Sequence, residues 1–261
     1  FRRIDWISFW ITTLLVFIGY FLTLAPDMTL EDSGELAVGS LYAGVPHPPG
    51  YPVWTIYSWL FTVLVPVSNI AWRVGLSSAV AGAFSCGLIA LMVSRGSSML
   101  LESIGQLKNI DRKKENWLCF VCGIVAGIAF GFNGFFWSQA VIVEVYTFSV
   151  LSFALVLCLL LRWMYAPQQR RFLYWAFFLF GISFTNHQTL IVGAMGIQVA
   201  IMLAQPKLGR DLFLANTIIF FVGLWAKATD RISSFDPSPV VNALGQSVLK
   251  TNPLYVIYLL I

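Results

Sequence analysis

The feature that most constrains this chain is the length of its uncharged runs. Stretches 6–24, 71–93, 117–132 and 148–161 carry one charge among them, Arg73. Crossing a hydrocarbon core about 30 Å thick takes about 20 apolar residues in a helix. Water is absent there, so the backbone must close its own hydrogen bonds, and runs of this length do so as helices. Composition agrees: 58% of the 261 residues are hydrophobic and 11% are charged, against roughly 25% charged in soluble domains. Mean hydropathy is +0.79. The expected class is an all-α polytopic membrane protein, with membrane lipid around it and no nucleic acid among its partners.

The chain starts at Phe1 and ends inside the apolar run NPLYVIYLLI, so both ends are expected to be truncated, and no leader is argued from such a start. Cys119 and Cys122 form a CxxC. It lies inside a spanning run with no second pair of soft ligands, so it reads as packing rather than as a metal or redox centre.

Lys and Arg set the orientation, because short cytoplasmic loops carry the excess of both. Arg2 and Arg3 precede the first run; Arg95, Lys108, Arg112, Lys113 and Lys114 follow the second; Arg162, Arg170 and Arg171 fill a later loop, and Lys207 and Arg210 another. If these loops share the cytoplasmic side, the apolar stretch 53–65 cannot cross the membrane. It is expected to be a juxtamembrane or re-entrant helix on the outer face. Residues 172–204 would be about 50 Å long as one helix, so a turn is expected at their polar point, Asn186-His187. The resulting map has at least seven spans, at about 6–25, 71–94, 117–134, 147–164, 172–185, 188–204 and 212–226, and an eighth from near 253, all in one domain over 1–261. Gly123, Gly127 and Gly131 share a helix face and read as a packing stripe.

This map gathers the misplaced polar residues on one face. Asp27, Glu31, Asp32, Glu35 and His47 fall in the first outer loop, Arg73 at the outer start of the second span, Glu144 at the next outer turn, and Asn186 and His187 at the one after. Ionisable groups at a membrane are costly and mark substrate or ion paths. Structural roles compete for each. TLED and DSGE both fit a helix capping box, HPPGYP fits a rigid turn, Arg73 fits snorkelling to the interface, and Asn186-His187 fits a hairpin cap. Glu144, inside VIVEV, is the hardest to explain structurally, whereas Glu31 is expected to be a surface charge.

The chemistry these groups permit is group transfer. Asp32 and Glu35, three apart, would share a helix face; one could act as general base on a hydroxyl, and an arginine suits a phosphate. In DSGEL, GVPHPPGYP, AWRVGLSSA, WSQAVIVEVY and GISFTNHQTL, in that order over about residues 32–190, the chain resembles the protein O-mannosyltransferase-like family. That family's animal members modify plexin-type receptors, and it is widespread in bacteria. The likeness weakens after Lys227.

The resemblance implies a GT-C fold and inverting transfer of mannose from a polyprenyl-phosphate donor to Ser or Thr of an exported protein acceptor. It implies Asp32 as the catalytic acidic residue with Glu35 beside it, His47 and Tyr51 shaping the pocket, Arg73 on the donor phosphate, and Glu144, Asn186 and His187 completing the cavity. No cofactor is implied, the lipid-linked sugar being a substrate, and no metal ligands are assigned, although the acidic loop leaves room for a divalent cation. The site would face the periplasm from a bacterial inner membrane, or the lumen of the endoplasmic reticulum in a eukaryote. Two other readings stand beside this one: a polytopic transporter, and a GT-C enzyme acting on a lipid or glycan.

Overall fold

In a computed structural model the chain is described over residues 1–48, 50–104 and 110–229, and at two short strands, Val240–Val241 and Ser247–Val248, which pair antiparallel. The expected eighth span near 253 lies outside the described residues. The remainder is helical: α1 (Arg3–Leu22), α2 (Ser33–Leu41), α3 (Pro52–Leu64), α4 (Ile70–Ser103), α5 (Arg112–Gly131), α6 (Gly134–Ala140), α7 (Tyr146–Tyr165), α8 (Arg171–Asn186), a 3-10 turn (Gln188–Ile191), α9 (Val192–Ala204) and α10 (Pro206–Ala228). Among the described residues, α1, α4, α5, α7 and α10 are long and apolar enough to cross a membrane. The protein is an all-α integral membrane protein.

The chain divides into two compact units, Phe1–Ile191 and Val192–Ile261. In the second, α9 packs on α10, and Gln198 Nε2 donates to the Gly209 carbonyl at 2.7 Å. All expected site residues lie in the first unit, where α1, α5 and α7 surround α4 and α8 lies against α7.

Two breaks expected in the apolar stretches appear as helix boundaries, and the expected spans 172–185 and 188–204 form α8, of 16 residues, and α9, of 13. Stretch 53–65 is the 13-residue α3, about 20 Å long and too short to span. Stretch 172–204 breaks after Asn186, at His187. Other boundaries moved. Helix α4 runs to Ser103, about two turns past the expected 94, because its C-terminal stretch contains neither proline nor a stop. Helix α5 begins at Arg112 rather than 117, since charged residues are good helix formers once clear of the hydrocarbon. It also ends earlier than the expected 134: Asn133 accepts from the Phe136 N–H at 3.0 Å and starts α6 instead.

The small-residue stripe lets three helices close on one another. A methyl on Gly123 would sit 2.7 Å from the Ala90 carbonyl oxygen of α4, and one on Gly127 would sit 2.7 Å from that of Cys86 and 2.6 Å from Thr12 Cγ2 of α1. At the outer end Tyr20, fully buried, donates its hydroxyl to the Gly131 carbonyl at 2.6 Å, satisfying an acceptor that the helix end leaves open. The inner end is tied by charge. Asp5, also fully buried, accepts from Ser94 Oγ at 2.6 Å and from the Arg2 backbone N–H at 2.6 Å. Arg2 in turn pairs with Glu115 at 2.8 Å.

Close approach along this stripe gives a direct test. Gly127→Ala is expected to lower stability by about 1–3 kcal/mol through overpacking. Gly96→Ala, where an added methyl meets nothing within 4 Å, is expected to leave it unchanged or slightly raised; thermal melts in detergent compare the two.

Candidate functional site

The outer loop is anchored before it reaches its acids. Ala25 N–H donates to the Val141 carbonyl at 2.9 Å, Trp137 Nε1 to Thr23 Oγ1 at 3.0 Å, and Asn69 Nδ2 to the Pro26 carbonyl at 2.9 Å. The loop is thus bound to the α6–α7 connection and to the start of α4. Ser33 then closes a turn with Thr29, donating to its carbonyl at 2.7 Å and accepting its N–H at 3.0 Å.

The capping boxes read from the sequence do not form. Asp32 holds the N-cap position of α2, yet its side chain makes no cap bond. Glu35, the reach-back residue of DSGE, is turned to His47. Its Oε1 accepts from the His47 backbone N–H at 2.6 Å, and its Oε2 lies 3.1 Å from His47 Nδ1. The tertiary contact outcompetes the local one because the proline run folds His47 back over α2: Pro46 packs 3.6 Å from where Gly39 would carry a methyl, and Gly50 N–H closes a turn on the His47 carbonyl at 2.9 Å. That turn needs Gly50 at φ +91° and leaves Tyr51 at φ +42°, a left-handed conformation a tyrosine seldom adopts.

These elements meet in one cluster. His47 Nε2 lies 3.2 Å from the Tyr51 hydroxyl and 3.9 Å from Asp32 Oδ2. The Tyr51 ring packs edge-on against His47 and against Trp54. Leu36, Ala37, Tyr51, Trp54, Val74 and Val145 form the apolar floor below. The acids above remain open to solvent, with 61% of the Asp32 side chain and 50% of Glu35 exposed. The His47 backbone N–H, and then its ring, hold the Glu35 carboxyl below the usual carboxylate range. Burial first, then the neighbouring Tyr146, Asp32, Glu144 and Glu35, push the Tyr51 phenol up, so it stays a hydroxyl donor.

Glu144 approaches the same cluster from the α6–α7 turn and is 4% exposed. Its backbone is held on both sides by Ser78, which donates to its carbonyl at 3.0 Å and accepts from its N–H at 3.3 Å. Its Oε2 accepts the Val145 N–H at 3.1 Å. Burial pushes its carboxyl from an ordinary 4.5 up to about 7, and the nearby charges of Glu31 and Asp32 add to the shift. Glu31, expected to be a surface charge, is exposed but electrostatically part of the cluster, and it too is left-handed, at φ +66°.

Asn186 and His187 play different parts. Asn186, 1% exposed, accepts the Trp54 N–H on its Oδ1 at 3.1 Å. It caps the first turn of α3 from another helix, where the preceding Tyr51 cannot do so. His187 bonds to Thr189 and packs its ring 5.5 Å from that of Tyr146. Arg73 takes a bracing role: its guanidinium donates to the carbonyls of Thr62, Val67 and Ser68 at 2.9–3.0 Å. Three of its five donors therefore close the α3–α4 turn. Sequence reasoning missed Tyr146, Trp54 and Ser78. Tyr146 stands two residues from Glu144 in VIVEVY, but nothing in the pattern announced the other two.

Asp32, Glu35 and His47 each offer one ligand atom within 4.8 Å of the others, a separation a divalent cation could bridge. Yet one Glu35 oxygen meets the His47 backbone N–H and the other meets Nδ1, rather than a common centre. The arrangement is that of a hydrogen-bonded acid–imidazole pair.

Two clefts run along the α7–α8 seam. One of about 130 Å³ lies between Val53, Phe148, Ile182 and Asn186; the other, of about 630 Å³, lies between Trp6, Leu88, Cys158, Arg162 and Trp175. Both are lined by Leu155 and Leu179, so together they follow the seam from the α3–α8 contact at Asn186 to the Arg162 end of α7.

Comparison with known proteins covers the segment that carries this cluster. The family described as "Protein O-mannosyl-transferase TMEM260 N-terminal domain" matches residues 32–209, from Asp32 through α8 and into α10. The chain belongs to this family. It is 27% identical over 220 residues to the mouse (Mus musculus) protein O-mannosyl-transferase TMEM260, covering 82% of this chain and 28% of that protein. It is 25% identical over 142 residues to protein O-mannosyl-transferase tmem260 of Dictyostelium discoideum, covering 54% of this chain and 15% of that protein. The chain thus spans under a third of the length of these curated relatives. No solved structure matches it.

The buried Glu144 supplies a pH test. With its folded pKa raised, the protonated form is favoured in the fold. Its ionisation therefore costs stability progressively between pH 4.5 and about 7, and fully above that. Glu144→Gln is expected to melt higher than wild type at pH 8, by an amount on the order of a few kcal/mol at most, and to show no such advantage at pH 4.5.

Proposed function

We propose that the chain is the membrane-embedded catalytic part of a glycosyltransferase of the GT-C type, moving a hexose, mannose by family likeness, from a polyprenyl phosphate to Ser or Thr hydroxyls of exported proteins. What supports this reading is a solvent-open carboxylate, Asp32, free of its own helix end, linked through His47, Tyr51 and Trp54 to Asn186, where an apolar seam between α7 and α8 begins. The orientation follows the basic loops, which put the cluster on the periplasmic or lumenal side.

The roles follow from the geometry. The seam along α7 and α8 suits an isoprenoid tail, whose buried CH₂ groups each contribute about 0.8 kcal/mol. The sugar phosphate would then lie over Asn186 and the start of α3. The acceptor hydroxyl enters from solvent against Asp32, whose carboxylate orients it for in-line attack on the anomeric carbon. It takes the proton late, as the C–O bond forms and the bond to phosphate breaks. Positioning supplies most of the rate, since holding two reactants in line is worth up to about 7–11 kcal/mol. Glu35 neighbours the base, Tyr51 and Glu144 shape the pocket wall, and His187 with Tyr146 borders the side nearest α8. Arg73 retains two donors for a phosphate while bracing the turn that holds α3.

A transporter would need a polar path near the midplane, whereas this seam is apolar and its acids sit at one end. The test is mass spectrometry of exported proteins from cells expressing wild type or Asp32→Asn. The expected outcome is hexose on Ser or Thr with wild type and its loss, by roughly 10²-fold or more, with the variant at equal protein level. Unchanged glycosylation with Asp32→Asn would remove the assignment.

A further inference from the structure

We infer that His47, held by Glu35 in its Nδ1–H tautomer, is a second catalytic group: its Nε2 takes from Asp32 the proton that the acceptor hydroxyl releases. The inference rests on the transfer reading above and names a residue that reading leaves on the pocket wall.

Glu35 grips His47 at two points, with one oxygen on the backbone N–H at 2.6 Å and the other on Nδ1 at 3.1 Å. An ionised carboxylate can only accept. The proton of the neutral ring therefore sits on Nδ1, and the lone pair is on Nε2. That atom faces the Tyr51 hydroxyl at 3.2 Å and Asp32 Oδ2 at 3.9 Å. The Asp32 separation is one small side-chain movement from hydrogen-bond length, and catalytic contacts are often looser without substrate. The ring cannot swing away easily: the Gly50 N–H on the His47 carbonyl fixes the turn, and Tyr51 packs edge-on at 5.5 Å between centroids. The titratable groups facing it are Asp32 and Glu35 from α2 and Tyr51 from the start of α3, with Glu144 and Tyr146 around the Tyr51 phenol.

The step balances. The acceptor oxygen bonds to the anomeric carbon, the bond from that carbon to the phosphate oxygen breaks, and its electron pair leaves with the polyprenyl phosphate. The hydroxyl proton passes to Asp32 and then to Nε2, while the Tyr51 hydroxyl rotates to accept from the new N–H. Asp32 is again a carboxylate, and the imidazolium lies between two carboxylates until it releases its proton to water. A carboxylate is by type a weaker base than an imidazole, so the ring is the better resting place for such a proton.

Glu35→Gln separates this role from a structural one. The His47 backbone N–H can bond only to the amide oxygen, so the amide NH₂ must face Nδ1. That arrangement donates to Nδ1, places the ring proton on Nε2 and removes the lone pair. The chain has two histidines, so ¹⁵N NMR of the ring nitrogens of the full chain in nanodiscs, assigned with His47→Ala, reads the tautomer without any activity. The expected results are Nδ1–H in wild type, Nε2–H in Glu35→Gln, and kcat reduced by roughly 10²-fold or more with KM within about threefold. Added imidazole is expected to restore part of the transfer by His47→Ala, whose melt confirms folding.

Wild-type His47 in the Nε2–H form, a Glu35→Gln enzyme that has switched tautomer yet transfers at the wild-type rate, or no rescue of folded His47→Ala would each overturn the inference. So would loss of transfer on chelation and its return with a divalent cation, since a metal on Nε2 would leave no site for a proton. If wild type transfers no hexose while the tautomers behave as described, the transfer reading fails instead.

Discussion

The site end of the first unit depends on one hydrogen bond between helix ends, from the Trp54 N–H to Asn186 Oδ1 at 3.1 Å. Helix α3 begins with a proline and follows a left-handed tyrosine, so its first turn has no local cap, and both partners are almost wholly buried. A buried backbone donor left open costs about 1–3 kcal/mol. Helix α8 ends at the residue that meets this need, and its end is where a chain too long to span must break. The short apolar helix α3 and the break in the over-long stretch 172–204 therefore meet at one contact. Their meeting brings the α8 terminus to the level of the acidic loop.

The same economy governs the acids. Had Asp32 and Glu35 formed the capping box their spacing allows, both carboxylates would have been tied to their own helix. Instead Ser33 closes the turn with Thr29, Glu35 reaches His47, and Asp32 faces the imidazole across open space. The proline run is what makes this possible, because it folds His47 back over α2. Glu144 contributes differently: burial favours its protonated form, so the negative charge beside Asp32 is smaller than the count of acids implies.

Much of this was legible in the sequence. The apolar runs gave α1, α4, α5, α7 and α10, and the stretch 53–65 was legible as a separate short helix. The polar pair Asn186-His187 marked the break in 172–204 because it is the most polar point of that apolar stretch. The gathering of Asp32, Glu35, His47 and Glu144 followed from the loop map, whereas Tyr51 entered only through the family resemblance. What the pattern could not show was partner choice. A carboxylate three residues from an N-cap looks like a cap until a distant histidine competes for it, and an arginine at the start of a helix does not announce that three of its donors will brace a turn. Helix boundaries outside the bilayer were equally hidden, since hydropathy is silent where water satisfies the backbone. Tyr146 and Ser78 belong to the site through packing of α7 on α4, which one sequence does not encode visibly.

The account stands most directly on which substance crosses or reacts at the acidic face. Purified protein in proteoliposomes, given polyprenyl-phosphate mannose labelled in the sugar and a Ser/Thr peptide on one side of the membrane only, decides it. The account predicts labelled peptide when the peptide is on the side of Asp32, and none when it is on the side of the basic loops. Labelled peptide from the basic side, or solute uptake with no labelled peptide on either side, would contradict it.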